Sequence, residues 1–334
     1  MRILVTGAAG FIGSHYVRTL LAGGTVSGVT ALDKLTHGAG WTALPEHPGV
    51  TRVTGDICDA GLLAEVVPGH DAVVHLAAES HVDTSIRDPA RFVETNVAGT
   101  QLLLDAARRY RIGRFLHVST DEVYGSIPAG AWTESAALAP NSPYAASKAA
   151  ADLLVLAAHR TYGMDVVITR CANNYGPYQL PEKVIPRFVT ALLRGGTVPL
   201  YGDGRHVREW LHVSDHCAAL ELVRTGGRPG EVYHIGGGTA LANEDLTTRL
   251  LSLCGAGWDQ VRAVADRPGH DRRYALDDRK LRTELGYAPA VEFDTGLAGT
   301  VAWYAAHPDW WLPLAGEPDA AAAEPAWRDV PAPG

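Results

Sequence analysis

Residues 1–15 of the chain read MRILVTGAAGFIGSH, and this stretch decides the fold. The apolar run at residues 3–5 is followed by Gly7, Gly10 and Gly13, and then by residues with helical spacing. That order predicts a strand, a tight turn and a helix. Glycines let a phosphate approach the backbone, and a helix N-terminus offers unpaired N–H groups, so the turn is a candidate pyrophosphate site. The GxxGxxG spacing alone is weak support, because glycine-rich turns are common in α/β proteins.

Outward from this stretch, short β-branched runs alternate with longer Ala/Leu-rich segments as far as residue 170. We predict strands at 3–5, 29–32, 50–54, 72–76, 114–119 and 166–170. We predict helices between them at 13–22, 60–66, 92–110 and 144–162. Such alternation is typical of a parallel sheet covered by helices on both faces. The predicted fold is therefore α/β, a doubly wound parallel sheet of the Rossmann type.

Beyond Gly176 the alternation fades into loops rich in Pro and Gly, with two or three further helices that include 183–194 and 243–253. We predict three regions. A Rossmann domain at 1–176 carries the catalytic helix, a smaller substrate-binding lobe at 177–314 returns in part to the sheet, and a mobile tail occupies 315–334.

Composition excludes several classes of protein. The 334 residues are 46% hydrophobic and 20% charged, which is ordinary for a globular protein. The net charge of -8 makes a nucleic-acid partner unfavourable. Thr6 and Gly7 end the first apolar run before a signal peptide would be complete, and no other run is long enough to span a membrane, so a cytoplasmic protein is expected.

No metal site is predicted from the spacing of cysteines and histidines. The four cysteines show no C-x-x-C pair, which favours buried reduced thiols over a zinc site or disulfides. His81, His212 and His216 have no metal-ligand spacing and are expected to be hydrogen-bonded structural residues.

Acidic and small residues after the next strands support a dinucleotide site. Asp33 lies 20 residues after Gly13 at the end of the second predicted strand, where a carboxylate can bind the ribose hydroxyls and repel a 2′-phosphate. This favours NAD over NADP. Asp56 and Ile57 could face the adenine, with an ordinary residue at the end of a strand as the less favoured alternative for Asp56. Residues 76–78 supply small side chains beside the cofactor.

Two groups of residues indicate acid–base chemistry. Tyr144 and Lys148 are four apart and share a helix face, so an ammonium beside the phenol, together with a positive nicotinamide, is expected to lower the pKa of Tyr144. Asp121 and Glu122 follow the fifth predicted strand and should face the same crevice. Two carboxyl groups in different environments can divide acid and base roles, which a simple reductase would not need.

Further segments give a more specific pattern: 75–83 (HLAAESHVD), 119–125 (STDEVYG), 144–148 (YAASK), 170–179 (RCANNYGPYQ), 181–183 (PEK) and 266–271 (DRPGHD). Together they resemble the dTDP-glucose 4,6-dehydratases of the extended short-chain dehydrogenase/reductase superfamily. The resemblance runs from Arg2 to about Trp311. Its most specific parts are residues 120–122 and 267–274.

The resemblance implies a redox-neutral dehydration of dTDP-glucose. Tyr144 would take the proton of the sugar 4-hydroxyl while hydride passes from C4 to NAD, with Lys148 holding Tyr144 and the nicotinamide ribose and Thr120 bonding the 4-oxygen. Glu122 would remove the C5 proton, and Asp121 would protonate the departing 6-hydroxyl. Hydride would return to C6 and give the 4-keto-6-deoxy sugar.

The same resemblance implies the binding residues. The cofactor set is Gly7, Gly10, Phe11, Ile12, Gly13, Asp33, Lys34, Leu35, Thr36, Asp56, Ile57, Leu76, Ala77, Ala78, Ser80, Thr95, Tyr144, Lys148, Cys171 and Asn174. The substrate set is Ser80, Thr120, Asn173, Lys183, Val184, Pro199, Tyr201, Arg208, Asn243, Arg267, His270 and Tyr274. Arg208 and Arg267 are the expected diphosphate partners. A homodimer is also expected, with the helices at 92–110 and 144–162 pairing as a four-helix bundle.

Three departures from the family pattern bear on affinity rather than on chemistry. Thr84 and Ala242 stand where Arg and Thr are usual, and residues 37–40 differ at the adenosine rim. The alternatives are a UDP-glucose dehydratase, a nucleotide-sugar 4-epimerase or sugar-acid decarboxylase, and a non-catalytic NAD-sensing scaffold. An epimerase expels no water and would not need both Asp121 and Glu122, whereas a sensor would not need an activated phenol.

Overall fold

The structure is a computed structural model that describes residues 1–36 and 40–316. The predicted tail from 317 onward and the departures at 37–39 lie outside the described residues. The strands are β1 (Arg2–Thr6), β2 (Gly28–Asp33), β3 (Val50–Thr54), β4 (Ala72–His75), β5 (Arg114–Thr120), β6 (Val166–Cys171), β7 (Asn173–Tyr175), β8 (Val198–Tyr201), β9 (Val207–His212), β10 (Val232–Ile235), β11 (Thr239–Ala242) and β12 (Val261–Val264). The helices are α1 (Phe11–Ala22), α2 (Ala60–Val66), α3 (Val82–Arg87), α4 (Pro89–Phe92), α5 (Thr100–Arg109), α6 (Pro143–Tyr162), α7 (Val184–Leu192), α8 (Val213–Gly226), α9 (Asn243–Cys254), α10 (Arg279–Leu285), α11 (Phe293–Ala306) and α12 (Pro308–Trp311).

Seven strands form one parallel sheet in the order β10-β6-β5-β4-β1-β2-β3. The chain runs outward from β1 to β3 and then crosses back to β4 on the other side of β1. This reversal creates a crevice at the carboxyl ends of β1 and β4, which is where ligands bind in doubly wound folds. The predicted fold class is confirmed, with all six predicted strands present.

The sheet is covered by helices on both faces, because its central strands carry buried apolar side chains on both sides. In β1, Ile3 and Val5 pack in the layer that contains α1 and α8, whereas Leu4 packs on the opposite face with α5 and α6. All three side chains are fully buried. Parallel strands buried on both faces need such continuous apolar runs, which explains why residues 3–5 begin the fold.

The second half of the chain forms a lobe with its own core. Small sheets β11-β9-β7 and β12-β8 pack with α7, α9 and α11 around buried Tyr175 and Trp210. Within the described residues six helices follow Gly176, so the expectation of two or three was wrong. Glycines there were interpreted as loop residues, but Gly255 and Gly286 are left-handed residues that end helices. The boundary at Gly176 stays a prediction, since β10 and α8 return to the sheet.

The helix expected at 92–110 is interrupted. Residues Val93–Gly99 form a π-helix between α4 and α5. Its wider turn buries Thr95 and Asn96, and Asn96 Nδ2 donates to Ser147 Oγ of α6 at 2.8 Å. π-Helical turns cluster at functional sites, and this one lies beside the crevice. None of the helices within 1–36 and 40–316 is long and apolar enough to cross a bilayer.

Candidate active site

A cavity of about 490 Å³ opens at the carboxyl ends of the central strands and continues to the C-terminal lobe. One end is lined by the glycine turn and Asp33, the floor by Asp121 and Tyr144, and the other end by Arg267. The volume is within the range of small-molecule sites. We call the two ends the dinucleotide end and the substrate end.

The dinucleotide end is shaped by backbone in close contact. Gly7 has φ 70°, and a Cβ on it would lie 2.6 Å from the backbone nitrogen of Ala77. A Cβ on Gly13 would lie 2.1 Å from the carbonyl oxygen of Gly7. Only glycine fits at either position. The turn therefore leaves the first N–H groups of α1 open to a phosphate.

Asp33 is fixed at the rim of this end. Its Oδ2 accepts from the Ala9 amide at 3.0 Å and its Oδ1 from the Leu35 amide at 2.8 Å. The neighbouring Lys34 ammonium pairs with Glu79 at 3.2 Å and donates to Thr95 Oγ1 at 3.0 Å. A carboxylate at this position suits ribose hydroxyls and repels a 2′-phosphate, while Glu79 neutralises the nearest lysine. The residues present thus fit NAD.

The floor is built by the end of β5 and the start of α6. Ser142 caps α6 by accepting from the Ala145 amide at 3.1 Å, with Pro143 at the first helical position. This cap sets where the helix begins and so directs Tyr144 into the cavity. Thr120 Oγ1 donates to Asp121 Oδ1 at 3.3 Å, and both residues line the cavity together with Tyr144.

The two adjacent carboxyl groups differ in their surroundings. Burial, and then the charge of Glu122, raise the pKa of Asp121 well above its usual range. Burial also raises the pKa of Glu122, but the guanidinium groups of Arg267 and Arg208 oppose that rise. Asp121 is therefore the better proton donor and Glu122 the better base. This direction agrees with the division of roles expected from the sequence.

The expected lowering of the phenol pKa is not produced by the protein's own groups. Burial, and then the charge of Glu122, raise the pKa of Tyr144 well above its usual value. The Lys148 ammonium donates to the Val118 carbonyl at 2.9 Å and lies 3.5 Å from His117 Nε2. Burial lowers the pKa of Lys148 to about 8. The Lys148 ammonium is directed at β5 rather than at the phenol. The expectation that Lys148 lowers the pKa of Tyr144 was therefore wrong.

The substrate end gathers cations from separate segments. Arg267 pairs with Asp83 at 3.1 Å, and Lys183 donates to the Ser80 carbonyl at 2.8 Å. Arg208 donates to the Asp271 carbonyl at 2.8 Å. Three positive groups in one wall suit a diphosphate, which guanidinium binds through two parallel hydrogen bonds.

Tyr274 is placed differently from the prediction. It does not line the cavity, and its ring lies under the Arg208 guanidinium at 4.3 Å while its hydroxyl donates to Asp271 Oδ2 at 2.7 Å. Tyr274 therefore packs against Arg208 and helps to position its guanidinium group. All the other predicted catalytic, cofactor and substrate residues line the cavity.

The sequence analysis missed several cavity residues, of which Asp83 matters most. Those with polar or aromatic side chains include Asp83, Gln179, Glu182, Arg187, Trp210 and Thr247. Asp83 stands inside the segment 75–83, and its distance in sequence from Arg267 hid the pairing.

His206, Asp266 and His270 form a close group at the substrate end, with ligand-type atoms within 4.8 Å of one another. His206 and His270 each contact a different Asp266 oxygen, at 3.2 and 2.6 Å, and their rings stack at 3.8 Å. Burial, and then the charges of Arg267 and Arg208, lower the pKa of His270 to about 3. The same positive charges disfavour a metal ion here. The contacts instead orient His270 towards the cavity.

The histidines singled out in the sequence are hydrogen-bonded. His81 caps α3 by accepting from the Thr84 amide, and His212 caps α8 by accepting from the Ser214 amide. His216 Nδ1 lies 2.8 Å from Asn174 Oδ1. All three are hydrogen-bonded as expected, but His81 also lines the cavity, so their purely structural role stays a prediction.

Comparisons with known proteins agree with this geometry. The family described as GDP-mannose 4,6 dehydratase matches residues 4–300. The dTDP-glucose 4,6-dehydratase of Streptomyces niveus is 60% identical, over 97% of this chain and 98% of that one. The crystal structure of DesIV, a dTDP-glucose 4,6-dehydratase from Streptomyces venezuelae with NAD bound, is 60% identical with a TM-score of 0.92, covering 94% of this chain and 100% of that one.

Epimerases are more distant. The NAD complex of UDP-glucose 4-epimerase from Thermus thermophilus is 34% identical with a TM-score of 0.85, covering 91% of this chain and 99% of that one. The similarity to dehydratases is thus greater, and it extends along nearly the whole chain. Together with the paired carboxyl groups beside Tyr144, it establishes that the chain belongs to the NAD-dependent dTDP-glucose 4,6-dehydratase family.

Proposed function

We propose that this chain converts dTDP-glucose to dTDP-4-keto-6-deoxyglucose by oxidation at C4, loss of water across C5 and C6, and reduction at C6. The observation that carries this proposal is the pair Asp121 and Glu122, in unlike environments and on the same floor as Tyr144. NAD held by the glycine turn and Asp33 would supply the redox chemistry, which is hydride transfer at C4 and C6. The rest of the chemistry is proton transfer by the chain's own residues.

Binding follows from the two ends of the cavity. The glycine turn and Asp33 hold the dinucleotide, and Lys148 at the base of α6 holds the nicotinamide ribose beside Tyr144. Arg208 and Arg267 bind the diphosphate of the sugar nucleotide. This arrangement places the hexose over the floor, and the stacked His270 closes the substrate end beside Arg267.

The floor residues then move protons at defined atoms. Tyr144 takes the proton of the 4-hydroxyl as a phenolate, a form that the positive nicotinamide of bound NAD would have to stabilise against the raised pKa of the phenol. The Thr120 hydroxyl bonds the 4-oxygen. Glu122 removes the C5 proton, which the new ketone has acidified, and later returns a proton to C5. Asp121 protonates the departing 6-hydroxyl, which leaves as water. Its raised pKa keeps Asp121 protonated for this step.

The experiment is an assay of purified protein with dTDP-glucose and UDP-glucose, read by the alkaline absorbance of the 4-keto sugar and by NMR of the product. A 6-deoxy methyl signal from dTDP-glucose supports the proposal. Formation of a galactose product would instead show that the chain acts as an epimerase. Asp121→Asn and Glu122→Gln should each lower turnover by about 10² or more. Tyr144→Phe should block the first oxidation. Asp245→Asn, on an exposed carboxyl outside the cavity, is the control.

We also propose that the enzyme works as a homodimer in the cytoplasm. Leu153 on α6 and Val93 in the π-helix that contacts α6 are 58% and 55% exposed, so apolar side chains on both elements face outward. A second copy would cover them by pairing α5 and α6 with their equivalents. Light scattering should give twice the chain mass, and Leu153→Glu should give monomers. The four free cysteines suit a reducing compartment.

A further inference from the structure

Three segments line the dinucleotide end: the turn after β1, the loop after β4 and the π-helix. Their residues at the cavity wall include Gly7, Ala77 and Thr95. Behind this wall lies His75, the last residue of β4, with Thr6 on one side of its ring and Thr100 on the other. These three side chains are fully buried, and they do not line the cavity.

The imidazole of His75 bridges two hydroxyl groups. Its Nδ1 lies 2.8 Å from Thr6 Oγ1, and its Nε2 lies 2.9 Å from Thr100 Oγ1. At one outer end the Thr100 hydroxyl donates to the Asn96 carbonyl at 2.6 Å. At the other end the Ala77 amide donates to Thr6 Oγ1 at 3.3 Å. Four hydrogen bonds therefore connect the loop after β4 to the π-helix through buried side chains.

The outer contacts fix the position of each proton in this chain of hydrogen bonds. A carbonyl only accepts, so the Thr100 hydroxyl donates its single proton to Asn96 and its oxygen accepts from Nε2–H of His75. Burial lowers the pKa of His75 well below its usual value, which keeps the ring neutral. A neutral imidazole carries one N–H, so Nδ1 is an acceptor and the Thr6 hydroxyl donates to it.

Only this arrangement makes all four hydrogen bonds at once. The other tautomer of His75 would need the Thr100 hydroxyl as a donor to Nε2, and the bond from Thr100 to the Asn96 carbonyl would be lost. An unpaired polar group is costly at a buried position, so the chain favours one geometry strongly. It therefore fixes the separation between its two ends.

We propose that His75 is a positioning residue for the cofactor, which holds the glycine turn and the π-helix at the separation that the dinucleotide requires. Thr6 directly precedes Gly7, and Asn96 directly follows Thr95 at the cavity wall. His75 thus acts through these neighbours rather than by touching the cofactor. The inference concerns the dinucleotide end alone, and it does not depend on which nucleotide sugar the substrate end binds.

The π-helix is anchored on its other side as well. Asn96 Oδ1 accepts from the Glu79 amide at 2.8 Å, and Asn96 Nδ2 donates to Ser147 Oγ of α6 at 2.8 Å. Because Asn96 is held in this way, loss of the Thr100 hydroxyl should release His75, and with it the glycine turn, rather than the π-helix.

The test measures how fast the loaded protein releases NAD. Protein that carries radiolabelled NAD is mixed with excess unlabelled NAD, and the retained label is counted over time. Thr100→Val keeps a similar side-chain shape but removes the hydroxyl, so release should be about tenfold faster. Thr100→Ser keeps a hydroxyl and should release NAD at the wild-type rate.

The matched control is a second buried pair of threonine and histidine. Thr30 Oγ1 on β2 lies 2.8 Å from His70 Nε2, and these two residues do not line the cavity. Thr30→Val should lower the melting temperature as Thr100→Val does, but it should leave NAD release unchanged. Wild-type release from Thr100→Val, or equal acceleration by both variants, would overturn the proposal.

The wild type allows a second measurement, which decides the matter if Thr100→Val does not fold. In loaded protein labelled with ¹⁵N-histidine, the ring nitrogen shifts should show a neutral His75 with its proton on Nε2 at neutral pH. Its signal is the one missing from the spectrum of His75→Gln. A proton on Nδ1, or a charged ring, would contradict the proposed chain. A protein that retains NAD but forms no 6-deoxy product would remove the proposed function and leave this inference intact.

Discussion

The two ends of the cavity recognise their ligands by different means. At the dinucleotide end, backbone atoms of neighbouring turns approach so closely that Gly7 and Gly13 admit no side chain. At the substrate end, Arg208 and Arg267 come from distant segments and are held by partners such as Asp83. A backbone site is therefore sensitive to any added atom. A side-chain site instead depends on the residues that position it.

The largest effect is expected where backbone meets backbone. Gly13→Ala would place a methyl group 2.1 Å from the Gly7 carbonyl oxygen, so the turn must shift. We expect a loss of about 3 kcal/mol of stability and of bound dinucleotide. Urea unfolding and titration with NAD measure both. Gly299→Ala is the control, because its Cβ would meet nothing within 4 Å in α11. Wild-type affinity in Gly13→Ala would show that the close contact is not required.

A smaller effect is expected at the substrate end, where a positioning partner can be removed. Asp83→Asn takes the charge from the group that pairs with Arg267 at 3.1 Å. We expect KM for dTDP-glucose to rise about tenfold with little change in kcat, as for a lost charge-assisted hydrogen bond. Steady-state kinetics test this. Asp203→Asn breaks an exposed pair with Arg272 and should change little. Equal effects of both variants would contradict the comparison.

The dinucleotide end should also be sensitive to acid. His15 on α1 contacts the Pro177 carbonyl, and burial lowers its pKa to about 4. The unfolded chain binds this proton more readily, so stability should fall as pH drops from about 6.5 towards 4. His15→Gln removes the titration and should reduce that loss by about 1 kcal/mol at pH 5, allowing for partial exposure. Urea unfolding across pH measures it. If the free energy of unfolding falls equally with pH in both proteins, His15 is not the cause of the loss.

The smallest effect concerns a helix at the substrate end. Ala242 is at the N-cap of α9 and offers no side-chain hydrogen bond, whereas Asp59 caps α2 through the Gly61 and Leu62 amides. Ala242→Ser should stabilise the protein by about 1 kcal/mol, and Asp59→Ala should destabilise it by a similar amount. Thermal unfolding compares them. If Ala242→Ser has no effect, water already caps α9 as well as a hydroxyl would.

The sequence was most informative where function depends on contiguous backbone. Residues 1–15 predict the first strand, turn and helix because their periodicity and glycines act locally. Tyr274 was misplaced because a family segment identifies a region but not the direction of each side chain. Lys148 was wrongly expected to lower the pKa of Tyr144, because it donates to the Val118 carbonyl on β5, which helix spacing cannot reveal. The contribution of the nicotinamide to that pKa stays a prediction. The Asp83 pairing depends on tertiary contact between residues far apart in the chain.

The π-helix at Val93–Gly99 sets the rotational phase of the segment that follows it. Each residue of an α-helix turns the chain by about 100°, so the extra residue in a π turn rotates everything beyond it by that angle. Asn96 can thus face α6 while Leu103 and Ala107 of α5 still pack against the sheet, all three buried. Deleting one residue from this segment would rotate the helix that follows it, so that one of the two buried faces became exposed to solvent. The segment therefore tolerates substitution better than any change of length.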